Sequence, residues 1–211
     1  MVVFPVALAA PAQVSGTGGP INYNVTFGYT GSFGATARGL IPAVINADIV
    51  LDDPTNSTCS LTSPNAKKYN FVVPAGTTYA RFSLFDADVN PGSDIDLCVC
   101  NSGGTKIDSS TSGTAAEEVN FVNPAPDTYT VVVQGWGVVV SSPFKLHAWL
   151  LGSADAGNMT VVAPASATLG MTSPINLTFS GLAGATKYLG SVAYSGSAGL
   201  PNPTIVRVDT P

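Results

Sequence analysis

Charge is what this chain has least of. Lys, Arg, Asp and Glu together make up 10% of its 211 residues, against roughly a quarter of an average soluble domain. The eight Lys and Arg are scattered among thirteen Asp and Glu, for a formal net charge of −5. A nucleic-acid binder carries a basic stripe, and none is present, so no duplex or phosphate-rich partner is expected. Helix formers are scarce and no window keeps an apolar period of 3.6 residues, which excludes amphipathic helices. No apolar run reaches the roughly 18 residues a spanning helix needs, so no membrane span is expected. One histidine, His147, and no Cys-x-x-Cys leave too few ligands for zinc.

What is abundant is apolar and conformationally special: hydrophobic residues are 45%, with 22 Gly and 16 Pro, and Ser and Thr fill the polar positions. That profile suits many short strands joined by turns, with hydroxyls rather than charges facing water. Strand-like runs are expected at 21–29, 68–73, 79–85, 95–100, 118–122, 129–134, 144–151, 159–163, 175–179, 188–194 and 204–208. Pro-Gly, Gly-Gly, Asn-Pro and Ser-Gly signals separate them. Alternation is clear in Tyr129-Thr130-Val131-Val132-Val133-Gln134 and in Ala80-Arg81-Phe82-Ser83-Leu84-Phe85. A spacing of about ten residues predicts an all-β sandwich or jelly roll rather than βαβ units.

A weak internal repeat marks the organisation. Ala10-Pro11-Ala12 precedes Pro20-Ile21-Asn22, and Ala163-Pro164-Ala165 precedes Pro174-Ile175-Asn176. Each copy runs on into Thr-Phe and a Gly-rich stretch with an aromatic. The reading is of four parts. Residues 1–11 form the last strand of a preceding domain or a linker, preferred over a clipped signal peptide because Pro5 interrupts the apolar stretch and no basic region leads it. Residues 12–55 form a half-domain, 56–152 a central β-sandwich, and 153–211 a second half-domain. The halves are too short to fold alone, so they pack on each other or lean on the centre.

Three cysteines, Cys59, Cys98 and Cys100, are too few for a disulfide framework. Cys98 and Cys100 sit two apart on an expected strand and point the same way, a placement that seldom bridges. Either one pairs with Cys59, leaving an odd thiol, or all three are small buried hydrophobes.

The central stretch resembles the bacterial pre-peptidase C-terminal domain found behind secreted proteases. The resemblance rests on Tyr79-Ala80-Arg81-Phe82-Ser83-Leu84-Phe85-Asp86-Ala87, then Asp94-Ile95-Asp96-Leu97, then Asn123-Pro124-Ala125 leading to Thr128-Tyr129-Thr130-Val131-Val132-Val133-Gln134-Gly135-Trp136. The flanks, Pro5 to Ala12, Gly157-Asn158-Met159-Thr160-Val161 and Thr204-Ile205-Val206-Arg207-Val208-Asp209, resemble the tail of subtilisin-like serine proteases, with fibronectin type III-like segments. The resemblance implies a secreted accessory region lacking the catalytic triad. Its partner is a protease catalytic domain in cis, and its role is stability, secretion or docking to an insoluble protein or polysaccharide. The chain departs from the family where Cys98 and Cys100 replace Tyr, Asp127 replaces a turn Gly, and Val138-Val139-Val140 replaces a polar loop. The alternative reading is a stand-alone cell-surface adhesion or carbohydrate-binding module.

No catalytic residue is assigned. A serine hydrolase needs nucleophile, base and orienting group within hydrogen-bond reach, and no Gly-x-Ser-x-Gly elbow appears. His147 would have to be the base, yet its strand alternation puts it on a solvent face with Lys145 and Trp149. The candidate metal site is acidic. Asp86, Asp88, Asp94 and Asp96 flank the turn Asn90-Pro91-Gly92-Ser93, and a hairpin could converge them as hard oxygen ligands for calcium. Asp52 and Asp53 are further candidate ligands. Asn24, Asn56, Asn158 and Asn176 head glycosylation-type triplets, which matter only in a eukaryotic host. Tyr129, Trp136 and Trp149 are expected to fill the core rather than to form a binding platform.

Overall fold

The computed structural model describes residues 6–57 and 59–211. The first segment carries five strands: β1 (Leu8–Ala9), β2 (Gln13–Gly16), β3 (Ile21–Phe27), β4 (Gly31–Ser32) and β5 (Gly34–Pro42). The middle carries eight: β6 (Val44–Leu51), β7 (Lys67–Val73), β8 (Tyr79–Ser83), β9 (Asp94–Cys100), β10 (Lys106–Ser110), β11 (Glu118–Val122), β12 (Asp127–Gly137) and β13 (Ser141–Leu151). Five follow: β14 (Met159–Val162), β15 (Ser166–Ala167), β16 (Thr172–Phe179), β17 (Lys187–Ser195) and β18 (Thr204–Asp209). The one helical piece among the described residues is a 3-10 turn, Asp86–Asp88. The all-β sandwich expectation therefore stands.

The chain divides into two compact units, one from the N-terminal segment up to Ala43 together with Ser153–Pro211, the other Val44–Gly152. The second unit is an insertion in the first. Its eight strands pair first with last, β6 with β13, then β7 with β12, β8 with β11 and β9 with β10, all antiparallel. Rolling up that long hairpin gives two four-stranded sheets, ordered β11-β8-β13-β6 and β10-β9-β12-β7. This is jelly-roll order. Inward positions alternate as the period-2 pattern requires: Ile95, Leu97 and Val99 face Phe82, Leu84, Phe144 and Leu146 in one core.

The flanking segments form their own sandwich, with sheets β1-β3-β16-β14 and β2-β18-β17-β5. The two repeat copies become β3 and β16, which run antiparallel as neighbours with Asn22 opposite Asn176. Ile21, Tyr23, Val25 and Phe27 from one copy and Ile175 and Leu177 from the other enter a shared core. Close packing of β5 on β17 depends on glycine: a Cβ on Gly190 would lie 2.3 Å from the Gly39 carbonyl oxygen, where the β5–β17 register shifts.

These groupings differ from the four-part reading at two points. Residues 44–55 join the inserted unit, because the alternating run of β6 supplies the strand that β13 needs. Strand β1 pairs with β3, so the described part of 1–11 belongs to the unit that follows it; Met1 to Pro5 lie outside the described residues, as does Thr58 of the Asn56 triplet.

Candidate functional site

The four carboxylates proposed as calcium ligands do not converge. Strand β8 is followed by Leu84, Phe85 and the 3-10 turn, and that turn sends its two acids apart. Asp86 accepts the Ala115 N–H at 3.0 Å. Asp88 turns to β13, where Lys145 Nζ lies 2.9 Å from Oδ1 and His147 Nε2 lies 3.1 Å from Oδ2. Burial pushes the Asp88 carboxyl up, but the hydrogen bonds and charge of Lys145 and His147 outweigh this and hold it below the usual range. Among the described residues no group of three or more His, Cys, Asp or Glu is placed to hold a metal ion. Asp52 and Asp53 serve the chain itself. Asp52 Oδ1 accepts the Val138 N–H, while Asp53 is buried and accepts from Ser63, Thr55 and Gln134.

Asp94 and Asp96 start β9, two apart and therefore on one face. Strand β9 turns its other face, Ile95 and Leu97, into the core. Asp96 is 3% exposed, and Asp94 Oδ1 is buried with no hydrogen-bond partner among the described residues. Burial pushes the Asp96 carboxyl up to about 6, reinforced by the charges of Asp94 and Glu117. Asp94 is raised by burial and by Glu117. Glu117 is the acid that the sequence reading missed. It is buried before β11, accepting the Ser110 hydroxyl and, at 2.5 Å, the Ser112 N–H. Ala115-Ala116-Glu117-Glu118 carries no local signal for such a role; only the return of β11 beside β8 brings it near β9.

His147 does share a face with Lys145 and Trp149, but it is 3% exposed rather than solvent-facing. Its ring lies edge-on to Phe85, with centroids 5.0 Å apart, and stacks on Trp149 at 6.0 Å. The residue opposite it in the ladder, Ser83, is buried and its hydroxyl donates to Glu118. Imidazole, carboxylate and hydroxyl are thus close in the sheet. The hydroxyl is bonded to Glu118, and both ring and hydroxyl are buried.

Beside this group the buried Arg81 organises the same outer face. Its Nε donates to Asn120 Oδ1 at 2.6 Å, and one terminal nitrogen donates to the Tyr79 hydroxyl at 2.9 Å and pairs with Glu118 at 3.1 Å. Tyr79 in turn donates to Asn120. Such a planar fork is satisfied by several acceptors at once. Tyr129 packs in the core and Trp149 is buried, but Trp136, expected in the core, is exposed; these three do not form a flat exposed platform.

On the outer face of β9 and β12, the loop entering β7 closes over a small apolar cluster of Ala66, Cys98, Cys100 and Val132. It is held there by a disulfide between Cys59 and Cys98, with Cα atoms 5.3 Å apart. Cys100 is the buried odd thiol. No protein-family model matches this chain, and no curated protein matches it.

Proposed function

We propose that this chain is a non-catalytic accessory region of a secreted subtilisin-like serine protease, acting on stability, secretion or docking to insoluble substrate. The observation that supports it best is how the polar groups are spent. The sole histidine, the acids near it and the buried arginine are bonded to one another or to the backbone, a pattern that stiffens a scaffold. The Cys59–Cys98 bridge suits an oxidising compartment and so a secreted chain. The tail-like motifs at both ends of the sequence supply the link to a protease.

Two measurements test this. The purified chain should hydrolyse neither casein nor a peptide ester; activity that disappears on His147→Ala would refute a non-catalytic role. The reading frame upstream in the source DNA should encode a domain with an Asp, His and Ser triad. Its absence would overturn the protease assignment in favour of a stand-alone adhesion or carbohydrate-binding module.

A further inference from the structure

We infer that strand β6 is a homodimerisation edge, on which a second copy of this chain pairs antiparallel through its own β6. In the inserted unit, β6 is the terminal strand of the sheet β11-β8-β13-β6. Its ladder with β13 is unbroken from Val44 to Leu51, so it is long and regular. Alternate residues of an antiparallel edge strand turn both N–H and C=O outward. Here these are Ile45, Ala47 and Ile49. The Ile49 N–H is bonded to the side chain of Asp48 rather than to β13, and its ladder partner Pro143 has no N–H to give.

Proteins blunt such edges with lysine, proline, bulges or shortness. The unit's other terminal strands do so: β7 opens with Lys67-Lys68, β10 has a bulge between Lys106 and Asp108, and β11 is short and opens with Glu118. Strand β6 has none of these on its outward positions. Instead its outer face is an apolar stripe, with Ile45 52%, Ile49 54% and Leu51 45% exposed. Its one charge, Asp48, points to the other face, where Lys67 and the Tyr69 hydroxyl hold it.

The occupant follows from the pattern Ile45-Asn46-Ala47-Asp48-Ile49, which is self-complementary about Ala47. Two copies related by a two-fold axis there set Ile45 against Ile49 of the other copy twice, Ala47 against itself, and Asn46 against Asp48. All the outward backbone groups meet, giving about six new hydrogen bonds from three paired positions. The Asp48 bond to the Ile49 N–H is exchanged for one of them. Shifting the register by two residues one way sets Asp48 against Asp48, which is unfavourable, and the other way leaves Ile49 opposite Ala43, outside the strand. Shifting by one puts the apolar residues on opposite faces. A closed, isologous pair results.

Sedimentation velocity on the full chain, over a wide concentration range, should show a species of twice the chain mass. Ala47→Pro deletes an outward-turned N–H, so it should halve that mass while leaving the circular dichroism unchanged and the melting curve like that of the wild type diluted to its single-chain form. Ala47→Cys places two thiols at the two-fold axis and should give a covalent dimer on mild oxidation, whereas Asn46→Cys, which faces residue 48, should not. A single-chain mass at every concentration overturns the proposal and leaves the edge to a strand from another protein. A dimer that survives Ala47→Pro, or one that Ala47→Cys fails to lock, overturns it equally.

Discussion

Replacing Asp96 by Asn should stabilise the inserted unit above pH 6 and do nothing at pH 3.5. In the fold its carboxyl is raised from 3.8 to about 6 because burial, then Asp94 and Glu117, disfavour the charged form. A raised folded value means that the native state holds the proton more tightly than the unfolded chain. Stability therefore falls as pH rises from about 4 to 6 and stays lower beyond. A tenfold change in proton affinity corresponds to about 1.4 kcal/mol, so the full effect would be about 3 kcal/mol, and screening at the sheet's end reduces it to about 2. Asn has the shape of the protonated acid, and its amide can donate to the buried Gln134 oxygen, which has no partner among the described residues, across the β9–β12 ladder.

The measurement is a pair of thermal melts, wild type and Asp96→Asn, from pH 3.5 to 8. Only the difference between them is diagnostic. Asp48, Asp53, Asp88 and Asp127 are held below the usual range, so they contribute stability that is lost as pH falls and they shape the acid limb of both curves. In the difference these largely cancel. A gain of about 10 °C at pH 7.5 is expected for a unit of about 100 residues, vanishing toward pH 3.5. An equal gain at both pH values would show that Asn acts through packing, and no gain at pH 7.5 would show that Asp96 is fully solvated when charged.

Two further outcomes are expected. Cys59→Ser combined with Cys98→Ser opens a loop of 39 residues and should remove about 4 kcal/mol of stability by urea titration, with the double variant insensitive to added dithiothreitol. A fragment spanning 44–152 should unfold cooperatively on its own, a fragment spanning 56–152 should be markedly weaker for want of β6 and Val50, and 153–211 should not fold; circular dichroism with urea checks all three.

Most strands could be read from the sequence because alternation and turn residues agree in them. The runs at 79–85, 129–134 and 144–151 each became one of the strands β8, β12 and β13. Strand β5 was hidden by Gly34 and Gly39, needed for close approach to Ser195 of β17 and to Ala156 respectively rather than for a turn. Strand β6 was hidden because both its faces carry apolar residues, which blurs the period that distinguishes it from a linker. The candidate site was less legible. Asp86 and Asp88 look like partners of Asp94 and Asp96 along the chain, but Lys145 and His147, nearly sixty residues on, claim Asp88. His147 looks exposed by alternation alone, since alternation assigns a face and not what lies on it. The repeat, by contrast, gave a true long-range pair, β3 beside β16.

Scarcity of charge ties these observations together. Of the eight Lys and Arg, five form ion pairs among the described residues: Lys67 with Asp48, Arg81 with Glu118, Lys145 with Asp88, and Lys187 and Arg207 with Asp209. A sixth, Lys68, donates to the Ser63 and Ala66 carbonyls beside the disulfide loop. Two of these cations, Lys67 and Lys68, also open edge strand β7, so few are left to guard the other edges, which in most β-proteins is lysine's other task. The two sheets of the inserted unit have four terminal strands, and the charges that do reach an edge fall on β7, β10 and β11. On β6 the single charge is turned inward to Lys67. An edge left open in this way in a low-charge protein would promote uncontrolled association unless it had one preferred partner. A palindrome centred on Ala47 supplies that partner in the chain itself, and it closes the edge instead of propagating it.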